Sequence, residues 1–179
     1  NIFEQRYLDL VNDAFKKNKL MGMIQSKRKS GEIFNVGCLG QINDFKKNPD
    51  GRILINLKGL IRFEVLEEVD NSKLYREFKV NYEKYNLDLN PTNQEIKTDS
   101  LIEKSQIFFK KNGLLLNWRE FEKLEETQKI NTLGMIAPIN NEEKQKILES
   151  ISLEEKVKNL ENILDFYLHE VNINNQTVQ

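Results

Sequence analysis

From residue 53 to residue 65 every odd position is apolar or glycine: Ile53, Ile55, Leu57, Gly59, Ile61, Phe63 and Val65. The even positions mix Asn56, Lys58, Arg62 and Glu64 with leucines. A period of two predicts a strand with one dry face. Running on to Glu67, it exceeds the ~5 to 6 residues of an average strand, so it must bend. Glycine inside a strand marks a bulge or barrel corner, where a side chain would collide with the curling sheet; Gly59, with Gly37 and Gly40 on the partner strand, is expected to serve there. Phe34, Val36, Cys38 and Ile42 supply that partner on one parity, and Asn48, Pro49, Asp50 and Gly51 the hairpin turn between the two. A short apolar run at 20–24 and a stretch over 74–82 complete a small, strongly curved antiparallel sheet. Ahead of it, Phe3, Tyr7, Leu10, Val11, Ala14 and Phe15 recur at helical spacing and predict a helix over 3–17.

From Asp99 onward the pattern turns helical. Ser100 with Glu103, Asn117 with Glu120, Asn140 with Glu143 and Ser152 with Glu155 each read as a capping box opening a helix. Gly113 is a natural stop, and a further helix ends before Pro138. In the last helix Leu153, Val157, Leu160, Leu164, Tyr167 and Val171 form a heptad-like seam. It is too short for a coiled coil and is expected to pack on its own chain. The tail, 172–179, is polar and expected to fray.

The 179 residues suit one domain or two small ones, divided as 1–90, β-rich with one N-terminal helix, and 91–179, helical. The single cysteine, Cys38, excludes an internal disulfide and a multi-cysteine zinc site and suits a reducing compartment, so a cytoplasmic protein is expected. No run approaches the ~18 apolar residues of a membrane span, and the N-terminus is not a signal peptide. Charge is balanced, 27 Lys and Arg against 28 Asp and Glu, which speaks against nucleic acid. The cluster Lys27, Arg28, Lys29 beside Ser30 reads as a solvated loop.

Candidate chemistry is sparse. His169 is the only histidine, so a site needing two imidazoles is excluded. Cys38 lies on the apolar parity of its strand and reads as a small buried hydrophobe. Gly37 to Gly40 spells GxxG, but inside a strand pattern rather than a loop between helices. Glu142, Glu143, Glu154 and Glu155 suit the first turns of helices. Glu4 and Arg6 are expected to form an ion pair tying the first helix to the barrel. No catalytic, cofactor-binding or metal-ligating residue is assigned, no cofactor is called for, and the substrate-binding residues are not readable.

NIFEQRY at the start, GMI at Gly22 to Ile24, VGCLGQI at Val36 to Ile42, DGR followed by LINLKGLIRFEV, then NWRE and EEKQKILES together resemble the N-terminal domain of ATP-dependent Lon protease, above all stand-alone bacterial proteins built from that domain. The resemblance implies an α+β fold, a PUA-like antiparallel β pseudo-barrel followed by a C-terminal helical bundle. In Lon this domain helps engage protein substrates and supports assembly, and the same fold occurs in substrate receptors of eukaryotic degradation. The family begins with a further strand before the segment matching NIFEQRY. Either it precedes Asn1 or the barrel has an open edge that invites strand pairing with another chain. No P-loop, GxxxxGK[ST], is present.

The function expected is a non-catalytic protein-binding module, not an enzyme, engaging unfolded or exposed apolar polypeptide segments, with a tie to proteolysis. It predicts an exposed apolar patch or groove. An RNA-binding PUA-like module is the alternative, and a small-molecule enzyme comes third. Partners would be polypeptide substrates or client proteins, with a homo-oligomer left open and no membrane.

Overall fold

The structure, a computed structural model, describes residues 1–27, 31–89 and 96–176, with the side chains of the last helix described as far as His169. Arg28, Lys29 and Ser30, the side chain of Val171 and the end of the polar tail lie outside the described residues. The chain divides into two compact units, Asn1–Thr92 and Asn93–Gln179.

In the first unit, α1 (Gln5–Phe15) precedes a four-stranded antiparallel sheet: β1 (Leu20–Met23), β2 (Val36–Lys47), β3 (Ile53–Val69) and β4 (Glu77–Asn81), ordered as in the sequence. The odd positions of β3 are the drier ones. Ile53, Ile61 and Phe63 are buried and Ile55, Leu57 and Val65 half-buried, while Leu54, Asn56 and Lys58 are exposed. Ile53, Ile55 and Leu57 join Met21 and Ile42 in a cluster that takes up Val11 and Ala14 of α1. Each fully buried aliphatic side chain there contributes about 1.5–3 kcal/mol.

Seventeen residues of β3 stay in one sheet because the ladder slips three times. Leu39 pairs with Ile61 but Gly40 with Gly59, leaving Leu60 unopposed; Asn43 and Leu66 are passed over in the same way. Such bulges bend and twist the strand. The expected bend is therefore present, but its reason at Gly59 differs. A Cβ on Gly59 would meet only Cys38 Sγ, at an ordinary 3.5 Å, whereas on Gly37 it would lie 2.6 Å from Met23 O and on Gly40 2.6 Å from Leu57 Cγ. Close approach belongs to the β2 glycines. The β2–β3 turn is closed by Gly51 N–H donating to Asn48 O at 3.0 Å, with Gly51 at φ +85°.

After β3 the structure departs from the pattern twice. β4 begins at Glu77 rather than 74, because Asn71 Oδ1 accepts from Lys73 N–H and holds the preceding residues in a turn. After β4 comes a short 3-10 helix, Glu83–Asp88, that the periodicity did not predict. It buries Tyr85 and places Asp88 on Arg62, the buried exception on the even face of β3. Arg62 donates through its backbone N–H and Nε to Asp88 Oδ2, both at 2.9 Å, and through Nη2 to Oδ1 at 2.7 Å, with its guanidinium 4.4 Å from the Tyr85 ring centre. The fork-to-fork pairing offsets the cost of burying the charge.

The second unit holds α2 (Asp99–Lys111), α3 (Trp118–Phe121), α4 (Glu126–Ile136), α5 (Asn141–Glu149) and α6 (Leu153–Gln176). Asn117, Asn140 and Ser152 accept from the backbone N–H of Glu120, Glu143 and Glu155 as the spacing predicts. Ser100 does not. α2 starts two residues earlier, with Thr98 at the N-cap position, whose hydroxyl makes no capping bond and instead donates to Glu126 at 2.6 Å. Val157, Leu160 and Leu164 of the α6 seam are buried with Leu101, Phe109 and Ile130, so that seam packs within its own unit.

Candidate functional site

In the first unit a cleft of about 790 Å³ opens beside the sheet. Its floor is apolar: Leu39 of β2 and Phe63 of β3, flanked by Met21 of β1 and Val80 of β4. Tyr7 and Leu10 of α1 form one wall because α1 turns its apolar stripe to the sheet and these residues lie at the border of that stripe. The hairpin end between β3 and β4 contributes Leu74 and Tyr75. Leu74 and Tyr7 are exposed at its mouth, whereas Phe63 and Tyr75 are buried.

The rim is polar and internally paired. Tyr75 donates its hydroxyl to Asp13 Oδ2 at 2.8 Å, and Lys16 lies 3.2 Å from Asp13 Oδ1. The Tyr75 hydrogen bond first, and Lys16 second, hold the Asp13 carboxyl below its ordinary range; burial above all pushes the Tyr75 phenol up. Arg76 grips Glu68 with two bonds of 2.6 Å, which keeps that carboxyl low. Glu77 raises the ammonium of Lys73. Most cationic and anionic groups of the rim thus satisfy one another, Lys17 excepted, and the apolar lining remains as the larger attractive surface for a ligand.

The residues weighed for chemistry are not brought together here. Cys38 is half-buried, its thiol donating to Leu39 O at 3.5 Å; burial first, and Asp88 second, push its pKa up, away from thiolate character. His169 is exposed on α6 in the other unit. Gly37 and Gly40 are buried within β2. Glu142, Glu143, Glu154 and Glu155 stand in first helical turns, Glu143 also accepting from Tyr167 at 2.8 Å. Glu4 and Arg6 do pair, at 2.8 Å, but locally and in solvent, so the pair does not tie α1 to the sheet. Tyr75 with Asp13 makes a link of that kind, between α1 and the β3–β4 hairpin. Among the described residues no group of three or more histidine, cysteine, aspartate and glutamate side chains is placed to hold a metal ion, and no helix is long and apolar enough to cross a membrane.

Sequence reasoning missed the Arg62–Asp88 and Tyr75–Asp13 pairs. They join residues 26 and 62 positions apart, and no local spacing signals such partners.

Comparison with known proteins places this geometry. The model of a family described as the ATP-dependent protease La (LON) substrate-binding domain matches residues 1–165. A Lon protease of Dictyoglomus thermophilum is 25% identical over 167 residues, a match covering 86% of this chain and 20% of that protein. The chain therefore spans about a fifth of that relative's length. Among solved structures, a Lon N-terminal domain protein from Xanthomonas campestris superposes with a TM-score of 0.66 at 18% identity, covering 89% of this chain and 84% of the other. The N-terminal domain of a Mycobacterium avium complex Lon protease gives 0.60 at 12% identity, covering 92% and 88%. Both share the α+β fold.

Proposed function

The chain belongs to the ATP-dependent protease La (LON) substrate-binding domain family, and from that premise we propose that it is a non-catalytic module that holds unfolded or exposed apolar segments of polypeptide, acting as an accessory to proteolysis. The observation that carries this reading is the cleft of the first unit. Its apolar lining, with half-buried Leu39 above the buried Phe63 ring and exposed Tyr7 and Leu74 at the mouth, is open to a ligand, while Asp13, Arg76 and Glu77 around it are already paired. Such a surface favours apolar chain over a charged small molecule, because a charged ligand would find most of the counter-ions engaged and would lose hydration with little compensation.

The test is titration of a permanently unfolded, fluorescently labelled test protein, followed by anisotropy. Saturable binding is expected. Tyr7→Glu and Leu74→Glu place charges at the exposed mouth without disturbing the core, and each should weaken binding about tenfold, the equivalent of losing one modest apolar contact. Absence of binding by the unaltered protein, or unchanged binding by both variants, overturns the reading.

A further inference from the structure

Aspartate or asparagine followed by glycine occurs at two places, Asp50–Gly51 and Asn112–Gly113. In such a pair the side-chain carbonyl carbon meets the least hindered following nitrogen, because glycine has no Cβ to block the approach. Asp50 is disarmed by its surroundings. It accepts from Arg52 N–H at 3.1 Å and Arg52 Nε at 2.7 Å, and the guanidinium holds its carboxyl below the ordinary range. It stays ionised, and a carboxylate is a poor electrophile. Asn112 instead carries a neutral carboxamide, which needs no prior protonation to be attacked.

The reaction open to Asn112 is deamidation. The Gly113 nitrogen bonds to Asn112 Cγ and gives up its proton, the Cγ–Nδ2 bond breaks, and the amide nitrogen leaves as ammonia with that proton. The succinimide ring so formed adds one water at either carbonyl and opens to aspartate or to isoaspartate, in which the backbone runs through the former side chain. Nothing is oxidised or reduced; water is consumed and ammonia released.

The fold opposes the first step. At the end of α2, Leu114 N–H donates to Phe109 O at 2.9 Å and Gly113 N–H to Lys110 O at 3.2 Å, with Gly113 at φ +67°, the Schellman form of helix stop. The attacking nitrogen thus keeps its proton on a carbonyl. The Asn112 carboxamide is turned back along the helix, Nδ2 donating to Phe108 O at 2.8 Å. Both reacting groups are held by the preceding turn, and Leu114 secures that turn by packing against the cluster that contains Phe109. Asn112 and Gly113 are nevertheless exposed and stand at a helix end, where local opening costs least.

We infer that Asn112 is a fold-guarded deamidation site: the native end of α2 suppresses the reaction, and each opening of that turn exposes it. The product closes less well. A carboxylate at position 112 sets an acceptor against Phe108 O, where Nδ2 donated, and adds negative charge at the negative end of the helix. An isoaspartyl link lengthens the backbone between the bonded groups of the stop. A reversible opening thereby becomes a lasting one. The site lies within the second unit and stands apart from the polypeptide-binding reading.

The whole 179-residue chain is incubated at mildly alkaline pH in water enriched in heavy oxygen, with and without guanidinium chloride, then digested for peptide mass mapping, with aspartate and isoaspartate products separated by chromatography. In denaturant, position 112 is expected to convert ahead of every other asparagine. In native buffer it should convert at least about tenfold more slowly. Lys110→Gly, at an exposed position, weakens the last turn by glycine's helix penalty and should speed native conversion about fivefold while leaving the denatured rate unchanged. Should that variant fail to fold, the native and denatured rates of the unaltered chain decide. Equal rates in the two conditions, another asparagine converting first in denaturant, or a folded Lys110→Gly chain converting no faster overturns the inference. Asn112→Asp should melt below the unaltered chain, and an equal or higher melting temperature would contradict the loosening of the stop.

Discussion

Phe63 joins the packing of the sheet to the floor of the cleft. Its ring is 3% exposed, Tyr82 stands edge-on to it at 6.2 Å, and Gly22 and Gly37 lie directly against it. Phe63→Ala should cost about 3–5 kcal/mol, read as a lower urea midpoint with an unchanged slope; a cost near zero would mean that the ring is not part of the core. Asp13 makes a pH-dependent prediction. Its carboxyl is held below its ordinary value by Tyr75 and Lys16, so its contribution is complete above the unfolded carboxylate range and fades as pH falls through the depressed folded value. Tyr75→Phe should therefore be less stable than the unaltered chain at neutral pH, with the difference shrinking below about pH 3, as comparative urea unfolding at the two pH values would show. Phe63 was legible in the sequence because period-two alternation registers burial directly. Arg62 was not, since a charge on the polar parity reads as solvated until Asp88, on a segment with no periodicity of its own, is brought beneath it.

At the scale of elements, helix starts carry their chemistry within four residues and so can be read in advance. Asn140 and Glu143 satisfy one another's backbone N–H groups, at 2.8 and 3.0 Å, as their spacing foretells. Ser100 has the same spacing but lies inside α2, because the chain turns into the helix at Thr98 before reaching it. β4 misled for the opposite reason: Leu74 and Arg76 continue the alternation of Phe78 and Val80, but the Asn71 turn and the Tyr75 anchor draw that stretch out of the ladder. Glycine placement sorts by partner. Gly37→Ala drives a Cβ into Met23 O and Ile24 and should cost about 1–3 kcal/mol, whereas Gly59→Ala meets only Cys38 at van der Waals distance and should cost less. Thermal melts of the two variants give the order, and a larger loss at Gly59 would contradict it.

For the whole molecule, the fold was legible well before the site. Strand alternation and helical capping define α+β architecture locally, and the family match over residues 1–165 agrees with it. The cleft depends on which strand edges and which helix face meet around Phe63, an arrangement that periodicity along one strand does not encode. The cleft residues Tyr7, Leu39 and Val80 come from α1, β2 and β4, and each reads alone as ordinary packing. Polypeptide engagement at this cleft is the central claim, and photocrosslinking tests it most directly. A benzophenone side chain is introduced in place of Tyr7 at the mouth, or of Phe45, an exposed ring outside the cleft, and each protein is irradiated with an unfolded test protein. Adducts from position 7 and few from position 45 are predicted; equal yields, or adducts from position 45 alone, would contradict the account.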